Sequence, residues 1–454
     1  MQTSINPATG KPIQDYPEHT PQEVSRIIAD VNACFQQFKL TSFRERSDYL
    51  QKVADVIEKN NAAYAELMAL EMGKPIKEAK AELDKCASTA RYFAQHGPIF
   101  LADQTVETEY TKSYVAFRPL GPILAIMPWN FPFWQVLRCA IPSLMAGNTV
   151  LLKHASNVPG CALALEDIFK EAGLPANFFR TLMIPARDVE TVIASPQVAA
   201  VTLTGSTPAG KAVASMAGKY LKKTVLELGG SDAYLILEDA DIDHAIKVCA
   251  ASRLVNCGQS CVSAKRLVVV ESLKEKFEQG VAEIFRQQKI GNPLDPATTM
   301  GPVARADLRD TLHDQVMRSI EQGARLLTGG EHPANATAFY PPTVLTDVKK
   351  GMAAYSEELF GPVAVIIPAR NEADAIRISK DTPYGLGGAV FTRDLARGEQ
   401  IARERIDSGA CFVNMMVRSD ARLPFGGIKE SGYGRELSAF GIREFTNIKT
   451  IVIA

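Results

Sequence analysis

Ala199-Ala200-Val201-Thr202-Leu203-Thr204-Gly205-Ser206-Thr207-Pro208-Ala209-Gly210 passes from an apolar run through a small-residue turn into a helix start. Residues 199–204 suit a buried strand, and glycine allows the tight turn that follows. A helix beginning there offers free N–H groups to a phosphate. The turn is not G-x-G-x-x-G, and taken alone it is an ordinary strand-to-helix connection. Similar apolar runs stand at 123–127, 149–152, 225–228 and 234–237, with helix-like stretches at 161–172 and 208–218 between them. That alternation predicts a parallel α/β sheet covered on both faces.

A second series, 266–270, 363–368 and 389–391, predicts a second α/β domain, with the boundary near residue 231. The first hundred residues read as helix. Thr20-Pro21-Gln22-Glu23 is a capping box, followed at helical spacing by Val24, Ile27, Ile28, Val31, Phe35 and Phe38. A second helical stretch, 44–72, is interrupted near Asn60-Asn61 and stopped by Gly73, and a third spans 76–95. Residues 105–118 and 446–454 alternate apolar and polar; periodicity alone makes them an edge hairpin on the main sheet.

Bulk properties narrow the class. The 454 residues exceed one compact core, and 46 % hydrophobic with 22 % charged residues is an ordinary globular balance. A net charge of −1 favours neither nucleic acid nor an acidic membrane as partner. The start lacks a basic, then apolar, signal pattern, and no apolar run approaches the roughly 20 residues of a membrane span. Eight cysteines are too dilute for a disulfide framework, and six histidines show no metal-ligand spacing. The expectation is a cytoplasmic protein without a metal.

The chemistry concentrates in Asn256-Cys257-Gly258-Gln259-Ser260-Cys261 and, 34 residues before Cys261, Glu227 in Leu226-Glu227-Leu228-Gly229-Gly230. Gly258-Gln259 suits a turn that carries a thiol to a surface. Val225, Leu226 and Leu228 imply that Glu227 is buried, where its pKa rises towards that of a general base. Asn130, in Pro128-Trp129-Asn130-Phe131-Pro132, can donate to an oxygen that becomes anionic when a thiolate attacks a carbonyl.

With Glu357-Glu358-Leu359-Phe360-Gly361-Pro362 downstream, these motifs form an ordered set that resembles the aldehyde dehydrogenase superfamily. The resemblance extends from Asn6-Pro7-Ala8-Thr9-Gly10 to Gly432-Tyr433-Gly434-Arg435-Glu436. It implies a Rossmann-type cofactor domain (1–104 and 119–230), an α/β catalytic domain (231–428) and a small β oligomerisation flap (105–118 and 446–454). Residues 429–445 would pack back on the cofactor domain, and the assembly would be a homodimer or homotetramer. Cys261 would be the nucleophile, Glu227 the base that activates water, and Asn130 with the Cys261 N–H the oxyanion hole. Cys257 would be a bystander or the partner in a reversible disulfide.

Trp129, Lys153, Ser156, Gly205, Ser206, Leu228, Glu358 and Phe360 would bind the cofactor, NADP or NAD. NAD-preferring relatives often carry a glutamate where Ser156 stands. A serine there removes repulsion of a 2′-phosphate and Lys153 adds positive charge, which favours NADP. Arg138, eight residues after Asn130, would share a helical face with it and hold a substrate carboxylate, as in succinate-semialdehyde dehydrogenases. Ser419 would assist, and Trp134 and Phe425 would line the tunnel. Val255 departs from some of those enzymes, which carry arginine there. The alternatives are uncharged aliphatic or sugar-derived aldehydes with Arg138 structural, a non-catalytic binding protein, or a thiol esterase. Glu227 argues against a coenzyme A-acylating relative.

Overall fold

The computed structural model describes residues 1–332 and 337–454. Four helices, Pro21–Phe38, Phe43–Lys59, Asn61–Met72 and Ile76–Phe100, fill most of the first hundred residues. Thr20 and Glu23 close the expected capping box, and Ser42 with Glu45 repeats it on the second helix. The break at Asn60 and the stop at Gly73, where φ is +77°, fall where the sequence places them. The fourth helix runs five residues past its expected end despite Pro98. Proline has no N–H to offer the Ala94 carbonyl four residues back, and the Ser47 hydroxyl bonds that carbonyl instead at 2.7 Å. A hairpin of Gln2–Asn6 and Lys11–Tyr16 precedes the helices and escaped the sequence reading. Its second strand is exposed along nearly all its length and carries no apolar stripe.

Two large sheets follow. In the first, Gly432–Tyr433, Lys223–Glu227, Ala200–Thr204, Pro122–Ile126, Thr149–Lys153 and Phe179–Thr181 lie side by side. All neighbours are parallel except Gly432–Tyr433, which returns from the far end of the chain to pair with Leu226 and Glu227. Strand order reverses at Pro122–Ile126, so a crevice opens beyond the carboxyl ends, where α/β sheets bind ligands. Those ends deliver Trp129 and Asn130, Lys153 and Ser156, Gly205 and Ser206, and Glu227 and Leu228 to one edge. The second sheet orders Arg325–Thr328, Thr343–Thr346, Val363–Ala369, Arg266–Val270, Ala233–Ile236, Gly387–Phe391 and Ala410–Val413, parallel except for the first pair. Sheet membership changes between Glu227 and Ala233.

Lys112–Pro119 pairs antiparallel with Thr446–Ile453 over their full lengths, and Gln104–Thr105 adds a short third strand. This sheet shares no strand with either larger one, so the edge-hairpin expectation is corrected. Alternation reports one solvated face and says nothing about which sheet a strand joins.

Candidate active site

Asn256, Cys257 and Gly258 are consecutively left-handed, with φ of +53°, +54° and +74°. Such geometry costs a non-glycine residue about 1–2 kcal/mol and persists only where the surroundings enforce it. At Gly258 a Cβ would overlap the Gly361 carbonyl, so no other residue fits. The surroundings are specific. Asn256 N–H donates to Glu78 Oε2 (2.6 Å), and Asn256 Nδ2 donates to the carbonyls of Asn130 (2.6 Å) and Gln259 (3.1 Å). Gln259 returns Nε2 to the Asn256 carbonyl and accepts the Ala304 N–H. Arg253, wholly buried, donates to the carbonyls of Gly258, Leu359, Gly361 and Val363 and to Ser263 Oγ. One guanidinium thereby joins the cysteine turn to the loop carrying Glu358 and Phe360. Burial lowers Arg253 to about 9, a cost its five acceptors offset.

The turn presents Cys261 half-buried at a cavity of about 160 Å³. Burial pushes its thiol up to about 11 against the opposing fields of Lys265 and Arg138, so at neutral pH it rests protonated. Its backbone N–H has no acceptor among the described residues. Cys257 is buried, its thiol 3.4 Å from the Gly301 carbonyl.

Asn130 donates Nδ2 to the Gln259 carbonyl at 3.0 Å and accepts Gln135 Nε2 on Oδ1, also at 3.0 Å. Its second amide hydrogen has no acceptor among the described residues. The helix after it is Trp134–Ala146, not a longer one reaching back to Asn130. Pro132 biases Phe131 away from helical geometry, so the expected shared helical face of Asn130 and Arg138 is corrected. Glu82 accepts the N–H groups of Phe133 and Trp134 and fixes where that helix begins.

Glu227 is 2 % exposed, and neither carboxylate oxygen has a hydrogen-bond partner among the described residues. Burial, then the nearby Glu436 carboxylate, raises its pKa well above the usual range against the pull of Arg138 and Arg435. Gly426 makes the space: a Cβ there would stand 2.6 Å from Glu227 Oε1. Glu436 is itself raised by burial and forms an ion pair with Arg138 Nε. Arg138 Nη2 donates to Thr204 Oγ1 at 3.3 Å, and the guanidinium carbon lies 4.6 Å from the Phe425 ring centroid. Arg138 therefore faces the Cys261 cavity already engaged by a structural carboxylate, a partner the sequence reading did not name.

In the crevice, Ser206 caps the helix Thr207–Lys219, and the N–H groups of Ser206 and Thr207 have no acceptor among the described residues. Gly205 N–H bonds the Glu227 carbonyl at 2.9 Å, and Leu228 packs on Gly210. Lys153 makes no ion pair among the described residues, and burial lowers its pKa; Ser156 beyond it is exposed. His154, between them, is pulled down to about 4 by burial. Its Nδ1 accepts the Ala155 N–H and its Nε2 meets the Pro132 carbonyl at 3.0 Å, which ties this loop to the Asn130 loop. Trp129 and Phe360 meet edge to face at 5.8 Å. Glu358 is turned onto Lys265 (2.9 Å) and the Gly230 N–H (3.2 Å).

Cys261, Trp134, Arg138, Ser419 and Phe425 border the same cavity. So does Lys85, which sequence reasoning missed. It lies on the long helix Ile76–Phe100, where a lysine reads as solvated surface. Glu436, Arg253, Lys265 and Glu78 were missed as well. Only Glu436 left a signal, within Gly432–Glu436.

The family profile described as "Aldehyde dehydrogenase family" matches residues 1–451, and the chain belongs to the aldehyde dehydrogenase family. It is 46 % identical to a probable succinate-semialdehyde dehydrogenase [NADP(+)] of Synechocystis sp. over 451 residues, 99 % of each chain. Identity to the succinate semialdehyde dehydrogenase [NAD(P)+] of Escherichia coli is 43 % over 448 residues, covering 99 % of this chain and 97 % of that one. The crystal structure of succinic semialdehyde dehydrogenase from Streptococcus pyogenes with NADP+ superposes with a TM-score of 0.97 at 37 % identity, each chain fully covered.

Proposed function

We propose that this enzyme oxidises succinate semialdehyde to succinate with NADP, and less well with NAD. The observation that carries the substrate is the company Cys261 keeps. Its small cavity is bordered by three cationic side chains, buried Arg138, half-buried Lys85 and solvent-exposed Arg418, and by the Ser419 hydroxyl. At about 160 Å³ it is well below the roughly 300–1,000 Å³ of drug-sized sites, which suits a short aldehyde acid. The relatives named above act on that compound by name.

Cofactor binding falls to the crevice residues. The free N–H groups at Ser206 and Thr207 suit a diphosphate, and unpaired Lys153 beside Ser156 suits a 2′-phosphate. Trp129 and Phe360 would frame the nicotinamide end, and Glu358, now on Lys265, would be the carboxylate available to the ribose there. When bound, the nicotinamide supplies the hydride acceptor.

The protein's own groups do the rest. Cys261 Sγ, only half-buried, gives its proton to solvent water and attacks the aldehyde carbon. The free amide hydrogen of Asn130 and the Cys261 N–H bind the oxyanion. After oxidation the acyl group is held as a Cys261 thioester. Glu227, made more basic than an ordinary carboxylate by burial and by Glu436, takes the proton of the water that hydrolyses it. Glu436 and Arg138 stand behind Glu227 and set its charge.

The sheet memberships support the division into a cofactor domain (1–104, 119–230), a catalytic domain (231–428) and a flap (105–118, 446–454). Thr446–Ile453 is an edge strand that exposes Ile448, Val452 and Ile453, which supports assembly as a homodimer or homotetramer through it. A second reading, an enzyme for uncharged aldehydes, draws support from Arg138, whose engagement by Glu436 is a complete structural role. Specificity constants for succinate semialdehyde and butanal, each with NADP and NAD, decide between them. A strong preference for the acid is expected; equal values would establish the second reading.

A further inference from the structure

We propose that Lys85, steadied by Ser419, is the group that binds the far carboxylate of the substrate and so sets chain specificity. The inference rests on the reading that the substrate is an aldehyde acid, and it deepens that reading by choosing among the three cations at the cavity, of which Arg418 is solvent-exposed and screened, Lys85 half-buried and Arg138 buried. Most buried cations around the site are already matched. Lys74 pairs with Glu82, Lys265 with Glu358 and Arg138 with Glu436, while Arg253 is saturated by carbonyls. Lys85 borders the cavity half-buried and has no carboxylate within ion-pair distance among the described residues. Its Nζ donates to Ser419 Oγ at 2.7 Å and stands 4.1 Å from the Trp134 ring centroid. An ammonium carries three donors, and Ser419 takes one. A carboxylate in the cavity can take the others and a hydrogen bond from the Ser419 hydroxyl.

The electrostatics agree with that geometry. Burial first, then like charge from Arg138 on the facing helix, lowers Lys85 to about 8. Cys86 and Glu82 on its own helix and Asp420 on the loop beyond Ser419 oppose the shift. A partly desolvated ammonium without an anion gains when a ligand supplies one. Arg138 gains less, because a second carboxylate must share a guanidinium that Glu436 already holds.

The test is the ratio of kcat/KM for succinate semialdehyde to that for butanal, with NADP, in wild type, Lys85→Met, Lys85→Arg, Ser419→Ala and Arg138→Met. Lys85→Met should lower the ratio roughly thirtyfold to a hundredfold, mainly by raising KM for the acid. Lys85→Arg should restore most of it, which a purely structural lysine would not require. In the wild type the ratio should fall as pH rises past about 8 and the ammonium is lost. If the ratio survives Lys85→Met but collapses in Arg138→Met, the carboxylate sits on Arg138 and the proposal is overturned. A ratio near one in the wild type would instead remove the aldehyde-acid reading, and this inference with it.

Discussion

The cysteine turn and the glutamate opposite it are buried to a similar degree and treated in opposite ways. Around Asn256–Gln259 the backbone is strained, yet all of its buried side-chain polar atoms but Asn256 Oδ1 are held, by Asn130, Ala304 and the turn itself, while Glu78 and Arg253 hold its backbone. Glu227 sits on regular strand backbone, and both its oxygens are without a partner. Saturation removes alternatives and positions a thiol; the lack of partners leaves a charge state open to change. Lys85, Lys153 and the N–H groups of Ser206 and Thr207 belong with Glu227. Each lacks the anion or acceptor that a bound substrate or cofactor supplies.

The comparison breaks most sharply at Cys261. Cys261→Ala should lower aldehyde oxidation by about 10⁴-fold or more, because no second cysteine lines the cavity among the described residues and its serines lack a base to activate them. The turn's hydrogen bonds do not involve the thiol, so the melting temperature and cofactor binding should be retained. Activity near wild type would place the nucleophile elsewhere.

Glu227→Gln tests the other side. Hydrolysis should slow by roughly 10²–10⁴-fold while a first, stoichiometric burst of reduced cofactor survives. Stability should respond in an unusual direction. A carboxylate raised in the folded state contributes stability that is present below its unfolded pKa. That stability is lost as pH rises through the raised folded value. Melting temperature in the wild type should therefore decline upward from the ordinary carboxylate range, and Glu227→Gln should flatten that decline. A melting curve with the same pH slope in both proteins would mean that the carboxylate is not held protonated.

Gly258→Ala attacks the saturated side without touching a reacting group. The added Cβ must displace the Gly361 carbonyl while φ stays near +74°. A cost of about 2–4 kcal/mol in stability is expected, with activity down roughly a hundredfold as the thiol shifts. Unchanged melting would show that the turn relaxes freely.

Much of this contrast was legible beforehand, for reasons that differ by residue. Strand and helix positions followed from apolar runs, because a sheet covered on both faces needs unbroken ones. Cys261, Asn130 and Glu227 stood out because their motifs, taken together and in order, resemble those of the aldehyde dehydrogenase superfamily; turn-forming or apolar neighbours alone would not have singled them out. Lys85, Arg253 and Glu436 were not legible as members of the site. Their roles come from contacts 334, 108 or 298 positions away in the chain, to Ser419, Gly361 and Arg138. Local periodicity carries no trace of such distant pairings. Arg138 shows the same limit. Its place at the cavity was expected from a helical face shared with Asn130 that does not exist, because the helix begins at Trp134, and its engagement by Glu436 left no local trace.

The smallest expected effect is the most selective. Ser156→Glu puts a carboxylate three residues along the loop from Lys153. The free 2′-hydroxyl of NAD gains an acceptor, while the 2′-phosphate of NADP meets like charge. Position 156 is exposed, so fold stability should be unaffected, and solvent screening holds the effect to roughly 10–100-fold in the NADP to NAD ratio of kcat/KM. The change should appear in KM for NADP and leave the succinate semialdehyde to butanal ratio as it was. A shift in substrate choice would mean that the crevice and the Cys261 cavity are coupled. An unchanged cofactor ratio would mean that the 2′-phosphate lies away from Ser156 and that Lys153 is unpaired for another reason.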